Sequence, residues 1–115
     1  MSSWLRVCTL DQVPVERGVA VLVEGEQVAL FRTDDDVLHA VDNLCPFSGA
    51  MVMSRGIVGS RGDRATVASP MYKQVFDLTT GACLDDDTVR LGVHPVRLVG
   101  AEVHIALPVQ ERRLA

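Results

Sequence analysis

The sequence predicts an all-β fold, a sandwich or partial barrel of short antiparallel strands. Hydrophobic residues make up 48% of the chain and aromatic residues only 4%, so the apolar content is mainly aliphatic. Val, Ile and Leu recur in short runs, which favour strands. No stretch has the spacing of a long helix, and 115 residues suffice for a single domain with one modest core.

The first forty residues predict a meander. A first strand at 4–8 is followed by a connection that contains Pro14. Strands at 19–23 and 27–32 form a hairpin, because Gly25 between them supplies the positive φ of a tight turn. The acidic triplet at 34–36 has the composition of a solvated turn, and a further strand is predicted at 37–41.

The second half changes character, because glycines interrupt the apolar pattern between residues 42 and 62. We predict a long loop region there with one short strand near 56–58. Short strands at 65–68 and 75–78 flank a second loop at 69–72. A last hairpin runs over 93–99, turns at Gly100 and returns over 102–107, and 110–115 form a loose tail. Long loops in compact domains usually carry function.

Composition excludes several classes of partner. The net charge is −4 and the pI about 5.2, with no basic cluster, so we expect no nucleic acid. No apolar run is long enough to span a bilayer, and the first residues lack the pattern of a secretory signal. Three widely spaced cysteines make a poor disulfide framework and indicate a reducing cytoplasm.

The most informative stretch lies between Asn43 and Gly81. Cys45-Pro46 is followed by a small-residue turn, Pro70 lies in the second loop, and Phe76-Asp77-Leu78 follows that loop. This order resembles the cluster-binding segment of Rieske proteins, where Cys-x-His and Cys-x-x-His hold a [2Fe–2S] centre with two thiolates on one iron and two imidazoles on the other. The resemblance implies a single Rieske-like domain, with a base of residues 1–41 and 82–109, a loop-bearing subdomain of 42–81 and a tail of 110–115.

The cluster ligands themselves do not match. Of the four positions only Cys45 is retained, because Phe47, Ser69 and Tyr72 occupy the others. A phenyl ring has no lone pair to donate, and a hydroxyl or phenol is a poor ligand beside thiolate and imidazole. Lys73 replaces the usual glycine of the second loop. We therefore expect no metal or cofactor on this chain.

Without those ligands, and with SRGIVG at 54–59 and SPMYKQ at 69–74, the chain is similar to the small subunits of assimilatory NAD(P)H-dependent nitrite reductases. The resemblance implies a non-catalytic, cytoplasmic accessory subunit of an enzyme that reduces nitrite to ammonium. Its partner would be a large subunit that carries FAD, a [4Fe–4S] centre and sirohaem. Two alternatives stay open: a Rieske-type electron-transfer ferredoxin with unusual ligation, and an independent protein-binding module on the same scaffold.

The two loops supply the candidate site residues. Phe47 and Tyr72 either fill the volume that a cluster would occupy or help to dock a partner, and we favour filling. The predicted partner-binding residues are Pro46, Phe47, Pro70, Met71, Tyr72 and Lys73. We expect Cys45 to be inert and partly buried, because no basic residue adjoins it in sequence to lower its pKa. The three histidines are too far apart in sequence to predict a metal site.

Overall fold

A computed structural model describes residues 2–71 and 73–108 of the chain, and it confirms the all-β prediction. The only helices in these residues are single 3₁₀ turns at Leu10–Gln12 and Met53–Arg55, and neither has the length or apolar character to cross a membrane. The strands are β1 (Ser2–Thr9), β2 (Arg17–Val23), β3 (Glu26–Arg32), β4 (Leu38–Asp42), β5 (Ile57–Arg61), β6 (Arg64–Ala68), β7 (Val75–Asp77), β8 (Val93–His94), β9 (Val96–Val99) and β10 (Glu102–Pro108).

The strands form three sheets in which every pairing between strands is antiparallel. The first sheet has the order β1-β10-β9, the second has the order β2-β3-β4-β8, and the third has the order β5-β6-β7. The third sheet and the two loops beside it carry the candidate site. The predicted meander corresponds to β2, β3 and β4, which follow one another both in sequence and in the second sheet.

The second sheet is the middle layer, because its strand β3 is buried on both faces. Side chains alternate between the faces of a strand. Val28 and Leu30 pack toward the first sheet, while Ala29 and Phe31 pack toward the third. The first core comprises Cys8, Val13, Val23, Val28, Leu30, Ala40, Val103 and Ile105. The second core comprises Ala29, Phe31, Val41, Cys45, Met53, Val67, Phe76, Leu78, Cys83 and Leu91.

The turn between β2 and β3 is built on two residues with positive φ, Glu24 at 52° and Gly25 at 82°. Two consecutive left-handed residues match the twist of the flanking strands, which is the geometry expected of a two-residue hairpin. Only glycine adopts it without strain. The predicted turn is therefore present, and Glu24 shares the left-handed conformation with the glycine.

Arg32, at the end of β3, holds the connection between β1 and β2. Its Nη1 donates to the carbonyl oxygens of Leu10, at 3.4 Å, and Val13, at 3.3 Å. Its Nε donates to a carboxylate oxygen of Asp36 at 2.9 Å. One guanidinium group thus binds two carbonyls of this connection and links it to the β3–β4 turn. The Leu10 carbonyl also accepts from the N–H of Val13, so the Val13 carbonyl depends more on Arg32.

The prediction of one strand over 93–99 was wrong, because these residues form two strands in two different sheets. β8 pairs with β4 in the second sheet, whereas β9 pairs with β10 in the first. Pro95 separates them because it has no N–H to continue a ladder; its carbonyl instead accepts from the N–H of Ala106 at 3.0 Å. β5 also extends further than predicted, to Arg61. The predicted tail at 110–115 lies outside the described residues.

Candidate functional site

The first loop, between β4 and the Met53–Arg55 turn, is anchored by the buried Asn43. Its Nδ2 donates to Gln27 Oε1 at 3.0 Å and to the Met51 carbonyl at 3.3 Å, while its Oδ1 accepts from the N–H of Ser54 at 2.8 Å. One side chain thus joins both ends of the loop to the second sheet. Such satisfaction of a buried amide makes the loop rigid at its base.

Cys45 lies within this loop, in a tight backbone turn. Its N–H donates to the Ala50 carbonyl and its own carbonyl accepts from the N–H of Gly49, both at 2.8 Å. Gly49 has a φ of 73°, a conformation that favours glycine. The small-residue turn recognised in the sequence therefore closes the loop around the cysteine.

The second loop, between β6 and β7, is closed on Ser69. The N–H of Ser69 donates to the Gln74 carbonyl, and the N–H of Lys73 donates to the Ser69 carbonyl, both at 2.9 Å. The Ser69 hydroxyl accepts from the N–H of Met71 at 3.3 Å. Lys73 has a φ of 64°, a left-handed conformation that costs a residue with a side chain about 1 kcal/mol or more.

The two loops meet at Cys45 and Ser69. The cysteine Sγ lies 3.3 Å from the serine Oγ, and the two residues are only 0% and 1% exposed. Burial raises the pKa of the Cys45 thiol. Hydrogen bonds from the hydroxyls of Ser48 and Ser69, and from the N–H groups of Ser48 and Phe47, outweigh burial and place the pKa below its ordinary value.

Cys45 therefore differs from the partly buried thiol without a lowered pKa that the sequence predicted. It is fully buried, and hydrogen-bond donors of the loop stabilise its thiolate without any basic neighbour. The sequence signal was present in Ser48, three residues along the chain. Its counterpart Ser69 could be found only by folding the two loops together.

Phe47 packs into the molecule rather than out of it. The side chain is half-buried against the second core, and its ring lies 6.1 Å from the ring of Phe76 at a tilt of 51°. This tilted geometry is favourable for two aromatic rings. Phe47 thus contributes to the packing beneath the loops, on the side of the third sheet.

These residues do not fit a [2Fe–2S] cluster. Ser69 uses its hydroxyl on Cys45 and on the N–H of Met71, and Phe47 offers no donor atom. Tyr72, at the fourth ligand position, lies outside the described residues. Among the residues that the structure describes, no three His, Cys, Asp or Glu side chains are grouped so that they could hold a metal ion.

Around the buried pair, the loops present an apolar surface. Met71 is 51% exposed, and Pro46 and Pro70 are exposed as well. The structure adds two residues that the sequence analysis missed, Leu44 and Met51, which are exposed and face each other across an isolated antiparallel bridge. We define the loop-tip surface as Leu44, Pro46, Met51, Pro70, Met71 and Lys73.

Comparison with known proteins places this geometry in a family. The model of the Rieske-like [2Fe-2S] domain family matches residues 3–106. The nitrite reductase (NADH) small subunit of Salmonella typhimurium is 36% identical over 106 residues, which cover 91% of this chain and 98% of that protein. The chain belongs to the Rieske-like nitrite reductase small subunits. The resemblance found in the sequence is confirmed.

Two further proteins are similar to this chain, one a solved structure and the other a large subunit. The crystal structure of a candidate NADH-dependent nitrite reductase small subunit from Mycobacterium tuberculosis superposes with a TM-score of 0.89 and 50% identity, covering 93% of this chain and 96% of that one. The nitrite reductase [NAD(P)H] large subunit of Klebsiella oxytoca is 37% identical over 102 residues. These residues are 89% of this chain but only 11% of that protein. In Klebsiella, therefore, a similar sequence is part of the large-subunit polypeptide.

Proposed function

We propose that this chain is a non-catalytic accessory subunit of a cytoplasmic NAD(P)H-dependent nitrite reductase. In this proposal the chain binds the large subunit and supports it during the reduction of nitrite to ammonium in nitrate assimilation. The large subunit would supply FAD, a [4Fe–4S] centre and sirohaem. This chain would carry no cofactor, since its two loops offer one thiol and no imidazole.

The proposal rests mainly on the similarity of this chain to part of the Klebsiella large subunit. A segment similar to 89% of this chain forms 11% of that protein. A domain that is covalently part of the large subunit in one relative is expected to associate with it when the two are separate chains. The donor set at Cys45 and Ser69 further supports a structural role rather than electron transfer.

We propose the loop-tip surface as the docking site. Met71, Leu44 and Met51 are each at least 43% exposed. Together with Pro46 and Pro70 they are exposed apolar residues of the two loops, which meet at Cys45 and Ser69. Methionines and other apolar side chains are characteristic of the centre of protein interfaces. Phe47 supports this surface from beneath. The predicted contact residue Tyr72 lies outside the described residues, and its role stays a prediction.

The test is co-expression of this chain with the large subunit of the same organism, followed by purification through a tag on the large subunit. We expect a complex of defined stoichiometry, a higher or more durable NAD(P)H-dependent nitrite reduction than that of the large subunit alone, and no iron in this chain purified by itself. Free large subunit with unchanged activity would refute the accessory role. Stoichiometric iron and sulfide in this chain would favour the ferredoxin alternative.

A matched pair of variants tests the docking site. Met71→Asp places a charge on the loop-tip surface, whereas Val99→Asp places the same charge at the end of β9. The two positions are similarly exposed, at 51% and 46%. We expect only Met71→Asp to weaken the complex. Equal binding by both variants would show that the interface lies outside the loops.

A further inference from the structure

The conformation of Lys73 is imposed by the loop in which it lies. Its N–H donates to the Ser69 carbonyl, and the N–H of Ser69 donates in turn to the Gln74 carbonyl. These bonds close a short ring of backbone between β6 and β7 and require the φ of 64° at position 73. Glycine adopts this conformation without strain, whereas a residue with a Cβ does not. The loop itself therefore gives no reason for a lysine.

The side chain of Lys73 makes no compensating contact among the described residues. It is exposed, and no carboxylate of residues 2–71 and 73–108 lies within ion-pair distance of it. Lys73 is thus a strained, exposed cation with no intramolecular role in the part of the chain that the structure describes. Strain alone does not imply a function, because Glu16, Glu24 and Asp36 also have positive φ.

The surroundings of Lys73 distinguish it from the other left-handed residues. It is the charged member of the loop-tip surface, which otherwise consists of Leu44, Pro46, Met51, Pro70 and Met71. When a partner covers an apolar surface, a cation within it loses its hydration and needs an opposite charge to replace the water. A protein that docked here without an acidic group would leave the ammonium buried and unpaired.

We propose that Lys73 fixes the orientation of docking by pairing with a carboxylate of the large subunit. This inference rests on the proposed function. The chain as a whole carries a net charge of −4, so an acidic partner surface is repelled by most of the molecule. Attraction limited to one point selects one orientation and suppresses others, which is the role of charge complementarity at interfaces.

The decisive variant is Lys73→Gly. Relief of strain should keep or raise its stability, whereas loss of the charge should weaken its binding to the large subunit. Glycine relieves the left-handed strain, which offsets its greater freedom in the unfolded chain, so the unfolding midpoint should be equal to or above that of the wild type. Removal of the ammonium should nevertheless raise the Kd for the purified large subunit about tenfold at low ionic strength. Lys73→Arg, which retains the charge, should bind within about threefold of the wild type.

The chain offers a matched control in Glu24, which is also an exposed charged residue in a left-handed turn, with a φ of 52°. Glu24→Gly relieves the same kind of strain at the β2–β3 turn, outside the loop-tip surface. We expect it to leave the Kd unchanged within about twofold. The difference between wild type and Lys73→Gly should shrink at high salt, because screening weakens the ion pair that the glycine variant lacks.

The outcomes separate this inference from the function on which it rests. If the wild type binds the large subunit and Met71→Asp does not, while Lys73→Gly binds like the wild type at every salt concentration, the docking site stands and the role of Lys73 is wrong. If Lys73→Gly weakens binding only because it unfolds, its lowered midpoint shows this and overturns the strain argument. If the wild type itself does not bind, the proposed function and this inference both fail.

Discussion

The Sγ of Cys45 lies 3.3 Å from the Oγ of Ser69, and this contact joins the two loops at their bases. In a Rieske protein the corresponding positions hold two thiolates on one iron. Here a hydrogen bond between a thiol and a hydroxyl occupies that place. This contact connects the two loops, backbone hydrogen bonds close each of them, and the donors around Cys45 stabilise a negative sulfur.

The first prediction is that Cys45 loses its proton at lower pH than Cys8 in the same molecule. Hydrogen bonds from Ser48 and Ser69 place the pKa of Cys45 below 9.0 despite burial. Burial raises the pKa of Cys8 above 9.0, although Arg6 opposes it. A pH titration of the two ¹³Cβ resonances by NMR measures both thiols at once, with no substitution of either.

Ser69→Ala tests the cause of that difference. We expect the pKa of Cys45 to rise in this variant and that of Cys8 to remain the same, since the hydroxyl contacts only the first of the two thiols. If Cys45 titrates after Cys8 in the wild type, or if Ser69→Ala leaves it unmoved, the two-loop contact does not stabilise the thiolate.

A second prediction concerns Arg32, which donates to the carbonyls of Leu10 and Val13 and to Asp36. Arg32→Ala removes this donor from the Val13 carbonyl, whereas the Leu10 carbonyl keeps the N–H of Val13. The variant also removes the ion pair with Asp36, so we expect a loss of about 1 to 2 kcal/mol in the free energy of unfolding. Urea denaturation measures it. The exposed Arg61 is the control, because Arg61→Ala should cost less than about 0.5 kcal/mol; equal costs would contradict the anchoring role.

A third prediction compares two glycines with similar backbone angles. Gly81 has a φ of 80°, and a Cβ there would lie 2.0 Å from the carbonyl oxygen of Leu91. Gly62 has a φ of 65° and open space around it. Gly62→Ala should cost about 1 kcal/mol from strain alone, whereas Gly81→Ala should cost more than about 3 kcal/mol, because the backbone must move as well. Similar unfolding midpoints for the two variants would show that the segment at 81–91 is not tightly packed.

Much of the fold could be predicted because the local patterns and the tertiary structure agree. The β2–β3 hairpin follows from two aliphatic runs around a glycine, and β4 from a run that follows an acidic turn. At Pro95 the local pattern and the tertiary structure disagree. The apolar pattern continues through it, so one strand was predicted, but the missing N–H sends the residues on either side to different sheets.

The site was predicted only in part, for a related reason. Family resemblance placed Cys45, Phe47 and Ser69 on two loops, but the hydrogen bond between the first and the last spans 24 positions in sequence and leaves no local pattern. The exposed pair Leu44 and Met51 was missed because isolated apolar residues in a loop look the same whether they point inward or outward. Their bridge is a property of the folded loop.

The last prediction is that His39 makes the protein less stable in mild acid. Burial lowers the pKa of His39 below 6.5, and this outweighs the carboxylates of Asp35 and Asp77 and a hydrogen bond with the backbone of Leu78, which raise it. The unfolded chain therefore binds the proton first as the pH falls. The stability that neutral His39 provides is complete above the unfolded pKa and decreases as the pH falls from 6.5 toward the folded pKa.

Urea unfolding at about pH 7.5 and about pH 5.5 measures this loss. His39→Gln removes the titrating group, so the free energy of unfolding should fall less between the two pH values than in the wild type. Asp35→Asn should have the opposite effect, because it removes a carboxylate that favours the protonated ring and so lowers the pKa of His39 further. An equal decrease in all three proteins would assign the acid sensitivity to groups other than His39.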